Sequence, residues 1–154
     1  MKISFHGAAR TVTGSKHLIT LDNGRNLLLD CGFFQGHGAD TDPMNRHFGF
    51  DPATIDYLIL SHAHIDHSGN IPNLVKQGFT GKIFCTAATR DLAAIMLADT
   101  AHIQENDIKY INKKRGKKNL APLSPIYAIE DVQNALENFF TIPYRKKFII
   151  EDGI

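Results

Sequence analysis

The stretch Leu60-Ser-His-Ala-His-Ile-Asp-His-Ser-Gly-Asn70 places His62, His64, Asp66 and His67 within six residues. It follows Tyr57-Leu-Ile-Leu60, an apolar run of the length expected for a buried strand. This order constrains the fold. In layered α/β structures, ligands and reactive groups collect just beyond the carboxyl ends of strands. A polar surface loop explains an isolated His-X-His about as well as a metal site does. It explains poorly four such residues at this spacing behind a buried strand.

The rest of the chain reads as strands, then strands alternating with helices. Ile3 to Phe5, His17 to Leu21 and Asn26 to Leu29 are short apolar or alternating runs. Asp22-Asn-Gly24 is a hairpin turn signal between the second and third. Leu27-Leu-Leu29 is apolar on both faces and ends in Asp30-Cys-Gly32. A Gly- and Asp-rich loop runs from Phe33 to about Asp51, and long loops of this kind are often functional. Gly69 to Gln77 predicts a short helix closed by Gly78, and Lys82 to Cys85 a strand.

Asp91 to about Lys114 predicts a long helix with Leu92, Ile95, Met96 and Ile103 near one face. Its basic end suits the negative pole of the helix dipole. Glu130 to Phe140 predicts an amphipathic helix through Val132, Ala135, Leu136, Phe139 and Phe140. Lys147 to Ile150 predicts a last strand. The expected class is α/β (α+β) with a layered sheet.

Composition narrows the setting. At 154 residues the chain is one domain by length. A net charge of +1 announces no general nucleic-acid binder. No apolar run approaches the ~20 residues of a membrane span. The N-terminus lacks a secretory core, and Cys31 and Cys85 are too few for a disulfide scaffold, so a cytoplasmic setting is expected.

The cluster itself divides in two. His62 and His64, two residues apart, can point to one side of an extended or tightly turned segment and share an ion. Asp66 and His67 follow a change of direction, where they can reach a second ion. Imidazole and carboxylate donors suit zinc, and also manganese or iron. Two such ions ~3.5–4 Å apart can share a bridging hydroxide as nucleophile.

The pattern His-X-His-X-Asp-His resembles the signature of the metallo-β-lactamase superfamily. Four stretches resemble its RNA-processing β-CASP branch more closely: Phe5 to Ser15, Leu28 to Gly36, Ser61 to Pro72 and Gly78 to Thr86. That branch includes the nuclease of the cleavage and polyadenylation specificity factor and its bacterial and archaeal relatives. The resemblance implies an αββα sandwich of which residues 1–154 are the N-terminal portion. It implies His62 and His64 as ligands of one zinc, and Asp66 and His67 as ligands of another. Asp66 also orients or deprotonates the attacking water. Asp30 matches an aspartate that supports the metal loop by hydrogen bonding; alone, it also reads as a turn-forming Asp before Gly.

The implied function is metal-dependent hydrolysis of phosphodiester bonds, with RNA as the partner of a full-length parent. The branch's further ligands, a His, a bridging Asp and a final His, are absent from this chain, as is the β-CASP insert. Weak metal binding and little hydrolysis by this chain alone are therefore expected. So is an exposed apolar sheet surface, covered by a homodimer or swapped dimer. Two alternatives compete: a small-molecule hydrolase of thioesterase or lactonase type, and a non-catalytic RNA-processing scaffold. Lys113, Lys114, Arg115, Lys117 and Lys118 are candidate phosphate contacts, with a solvated helix end as the plainer account.

Overall fold

The computed structural model describes residues 1–151 and 154. Strands β1 (Lys2–Gly7), β2 (Lys16–Thr20) and β3 (Asn26–Leu29) form an antiparallel meander. The β2–β3 connection turns at Asp22-Asn-Gly24, where Gly24 has φ +85° and its N–H donates to the Leu21 carbonyl at 3.0 Å. Glycine reaches this left-handed conformation without a Cβ clash, which is why Asn-Gly marks the turn.

Three further strands, β4 (Tyr57–Ile59), β5 (Lys82–Cys85) and β6 (Phe139–Thr141), continue the sheet in parallel from β3. The order is β1-β2-β3-β4-β5-β6. Parallel neighbours require crossovers. These carry α1 (Thr41–Arg46), α2 (Ile65–Ser68), α3 (Ile71–Lys76), the 30-residue α4 (Ala87–Gly116) and α5 (Ile129–Glu137). The result is a mixed α/β fold with a mixed sheet, as expected.

Register sorts the side chains into two faces. Leu18, Leu28, Leu58, Ile83 and Phe139 stand opposite one another across the strands. They pack on Ile71, Leu74, Leu97, Val132 and Ala135 of the helices to form the core. The alternate row, Phe5-His17-Leu29-Ile59-Phe84-Phe140, lies on the other face. That face is apolar and partly open: Phe5 is 65% exposed and Ile3 47%. The exposed apolar sheet surface expected from the sequence is therefore present. Among the described residues there is one sheet with helices packed on one face, an α layer and a β layer.

The predicted strand at Lys147 to Ile150 does not form. Phe148 packs across the sheet instead of extending the ladder, while Ile149 is exposed. Phe148 lies 5.7 Å from both Phe84 and Phe140, and Glu151 accepts a 2.8 Å hydrogen bond from the Tyr57 hydroxyl.

The helices also differ from expectation in three places. The helix expected over Gly69 to Gln77 forms as α3, and an additional one-turn helix, α2, precedes it inside the His cluster. The helix expected to reach Phe140 stops at Glu137. Phe139 and Phe140 continue its apolar spacing but pair with Ile83 and Phe84 as strand residues. The long loop after Phe33 contains α1, held by the buried amides of Asn45, Asn70 and Asn73.

On α4, Leu92, Ile95 and Ile103 share a face, but it points outward; they are 49%, 69% and 53% exposed. Of that set only Met96 packs against the core, whose helical contacts are Ala93, Leu97 and Ala101. Small residues permit the close approach of α4 to the layer beneath it.

Candidate metal centre

The cluster sits where β3 and β4 end. Asp30 follows β3 and takes φ +60°, a left-handed conformation that aspartate tolerates better than most residues. Its N–H donates to the Ile59 carbonyl at 3.0 Å, continuing the sheet by one bond. The next residues are tied to α2 by backbone hydrogen bonds. Cys31 N–H donates to the His67 carbonyl at 2.7 Å, and Phe33 N–H to the Ile65 carbonyl at 2.9 Å. Ser15, entering β2, donates its N–H to the Asp66 carbonyl at 2.8 Å and accepts from Gly32 N–H at 3.0 Å. Segments from three parts of the chain thereby form one backbone lattice under the histidines.

The Asp30 carboxylate is buried and is the centre of the polar network. It accepts from Ser61 N–H at 2.8 Å, from the Ser61 hydroxyl at 2.9 Å and, more loosely, from the Ser15 hydroxyl at 3.5 Å. His67 Nδ1 lies 2.7 Å from it. An ionised carboxylate only accepts, so Nδ1 carries the proton and donates. In the neutral ring this leaves the lone pair on Nε2, which lies 3.5 Å from Asp66 Oδ2. The Asp66 and His67 side chains therefore converge.

The first half converges as well. His64 precedes α2, where the chain bends from extended to helical. The His62 ring is centred 4.7 Å from His64 and 4.0 Å from His67. Burial first, then the neighbouring His67 and His64 rings, hold the His62 pKa below its ordinary value. Its imidazole is neutral at pH 7, the form in which histidine binds metals.

The donor chemistry fits a divalent ion of the zinc type. The set is partial, however. Among the described residues no three His, Cys, Asp or Glu side chains are arranged to hold an ion. Of the five other histidines, His6 packs on Phe50, His37 on Phe34 and His17 on Phe5, with His17 Nε2 3.4 Å from the Ser15 hydroxyl. Ser15 and Ser61 were not anticipated as parts of the site. Ser61 directly precedes the first His, and Ser15 closes the Phe5 to Ser15 stretch, but only their approach to Asp30 reveals what they do.

The matching sequence defines the class: the chain belongs to the metallo-beta-lactamase superfamily, whose family model matches residues 13–135. Its relatives sharpen that. Ribonuclease TTHA0252 of Thermus thermophilus is 38% identical over 144 residues, which cover 94% of this chain and 28% of that protein. Transcription termination factor FttA of Methanocaldococcus jannaschii is 32% identical over 147 residues, 94% of this chain and 20% of that protein. The RNase J-like protein of the same organism is 30% identical over 152 residues, 99% of this chain and 28% of its own length. These names agree with the RNA-processing branch that the sequence resembles.

The chain thus spans between 20% and 28% of the length of these relatives. Among solved structures, a mutant metallo-beta-lactamase from Cronobacter sakazakii is 26% identical with a TM-score of 0.46, covering 62% of this chain and 35% of its own. No helix among the described residues is long and apolar enough to cross a membrane.

Proposed function

We propose that these 154 residues are the N-terminal, metal-binding portion of a longer metal-dependent hydrolase that cleaves phosphodiester bonds in RNA. The observation that carries the reading is the gathering of His62, His64, Asp66 and His67 at the ends of β3 and β4, with His67 oriented by the buried Asp30. Two bound zinc ions, with manganese or iron as alternatives, would supply Lewis acidity and a water whose pKa falls to about 7. His62 and His64 would hold one, and Asp66 and His67 the other. Asp66 would orient the attacking water and take its proton. Asp30 fixes the tautomer of His67 without touching the reacting atoms. The remaining ligands and the β-CASP insert would come from the rest of the longer protein, so the 154-residue chain alone is inactive or nearly so.

The test is cleavage of a labelled single-stranded RNA by the full-length parent. His64→Ala is expected to lower its rate by at least about a hundredfold. An RNA left intact while a thioester or lactone turns over would replace the nuclease with a small-molecule hydrolase. An RNA bound but never cleaved would make the chain part of a scaffold.

The open sheet face supports a second proposal: the isolated chain forms a homodimer or swapped dimer that covers Ile3 and Phe5. Light scattering is expected to return a dimer mass, and a monomer at high concentration overturns this.

A further inference from the structure

The C-terminal third of α4 carries the largest concentration of charge in the chain. Lys109, Lys113, Lys114, Arg115, Lys117 and Lys118 fall within ten residues, and no Asp or Glu occurs from Ile108 to Ile129. The chain has 17 basic and 16 acidic residues, so without these six the remainder is net −5. The near-neutral total conceals a strongly polarised molecule. Among the described residues none of the six forms an ion pair.

The structure adds what the charge run alone lacks. Residues after Gly116 fold back along the helix: Arg115 Nε donates to the Ala121 carbonyl at 2.7 Å, and Asn112 exchanges two 2.8 Å hydrogen bonds with the backbone of Leu123. This fold-back forms a groove of about 280 Å³ lined by Tyr110, Ile111, Lys114, Arg115, Lys118 and Leu120. Tyr110 is 62% exposed and Leu120 50%. The Lys114 ammonium lies 4.3 Å from the Tyr110 ring centre. An exposed aromatic ring, an apolar wall and three cations thus share one groove. An unpaired base that displaces the Lys114 ammonium can stack on the ring while its phosphates meet the cations, the combination that single-strand binding surfaces use. A base within a duplex cannot reach the ring, and a bare charge run offers no ring.

We infer that this groove binds single-stranded RNA, outside the metal centre. The inference rests on the RNA reading of the function. It is tested by fluorescence anisotropy with a short 5′-labelled oligouridylate and the 154-residue chain in EDTA, which removes any metal contribution.

Lys114→Glu/Lys118→Glu is expected to weaken binding about tenfold or more and to flatten the slope of log affinity against log salt by ~1.4, about 0.7 per lost phosphate contact. Tyr110→Ala is expected to weaken binding about fivefold or more with the slope unchanged, because stacking releases no counterions. Lys146→Glu/Lys147→Glu, the same charge change on exposed residues outside the groove, should bind like the unmodified chain.

Both groove variants binding within about twofold of the unmodified chain would overturn the inference, as would binding to phosphatidylglycerol vesicles without binding to RNA. RNA held through the groove by a full-length protein that never cleaves it would refute the hydrolase reading and leave the groove standing. Unimpaired binding by the groove variants of a protein that does cleave RNA would refute only the groove.

Discussion

Gly32→Ala is expected to destabilise the chain by about 4 kcal/mol, measured as a fall in the urea unfolding midpoint. A Cβ at this position would lie 1.7 Å from the Asp66 carbonyl oxygen, 2.0 Å from its carbon and 2.5 Å from His67 N. None of these is the movable end of a side chain. The Asp66 carbonyl accepts from Ser15 N–H, and the His67 carbonyl accepts from Cys31 N–H. Relieving the clash therefore means pushing α2 away and opening the lattice that holds the cluster. Gly116→Ala is the control. Nothing lies within 4 Å of a Cβ there, and alanine favours helix, so a neutral or slightly stabilising result is expected. Equal midpoints for the two variants would show that α2 is not seated against the β3 loop as described.

Gly32 also illustrates what was readable in the chain. Asp30-Cys-Gly32 stood out as the end of an apolar strand, and the β3, β4 and β5 positions followed from short apolar runs between turn signals. The contact that makes glycine necessary did not, because Asp66 is 34 residues away in sequence and meets it only in the folded chain. Periodicity failed where size and burial diverge. On α4 Leu92, Ile95 and Ile103 face outward while Ala93, Leu97 and Ala101 make the core contact. At Phe139 and Phe140 the helical spacing of α5 runs on into a strand, because pairing with β5 outweighs local pattern.

The candidate cluster is legible as a group because its residues are chemically rare and adjacent. Its support is less so. Asp30 was reached through family resemblance, and the serines that bind it were not reached at all. The same distinction separates the two surfaces proposed here. The basic run is visible in the sequence, but its pairing with Tyr110 and Leu120 depends on the fold-back after Gly116.

Asp30 should show that support and stability are separable. Asp30→Ala leaves Ser61 N–H, the Ser61 hydroxyl and His67 Nδ1–H without their buried acceptor. It also places alanine at φ +60°, at a cost of ~1–2 kcal/mol. A total loss near 4 kcal/mol is expected in urea unfolding. Asp30→Asn is gentler. Asparagine tolerates the same backbone conformation, and its amide oxygen can still accept from Ser61, so a loss of only ~1–2 kcal/mol is expected.

Its amide nitrogen, however, is a donor. Facing His67 Nδ1, it favours the tautomer with the proton on Nε2, the atom that lies 3.5 Å from Asp66 Oδ2. That proton occupies the lone pair a metal would use. Asp30→Asn should therefore leave a folded chain whose zinc affinity is ~10–100-fold lower. Nitrogen chemical shifts of His67 should report the change of tautomer directly. A variant that keeps the Nδ1–H tautomer, or keeps zinc affinity after losing it, would show that Asp30 holds the loop without governing the ligand.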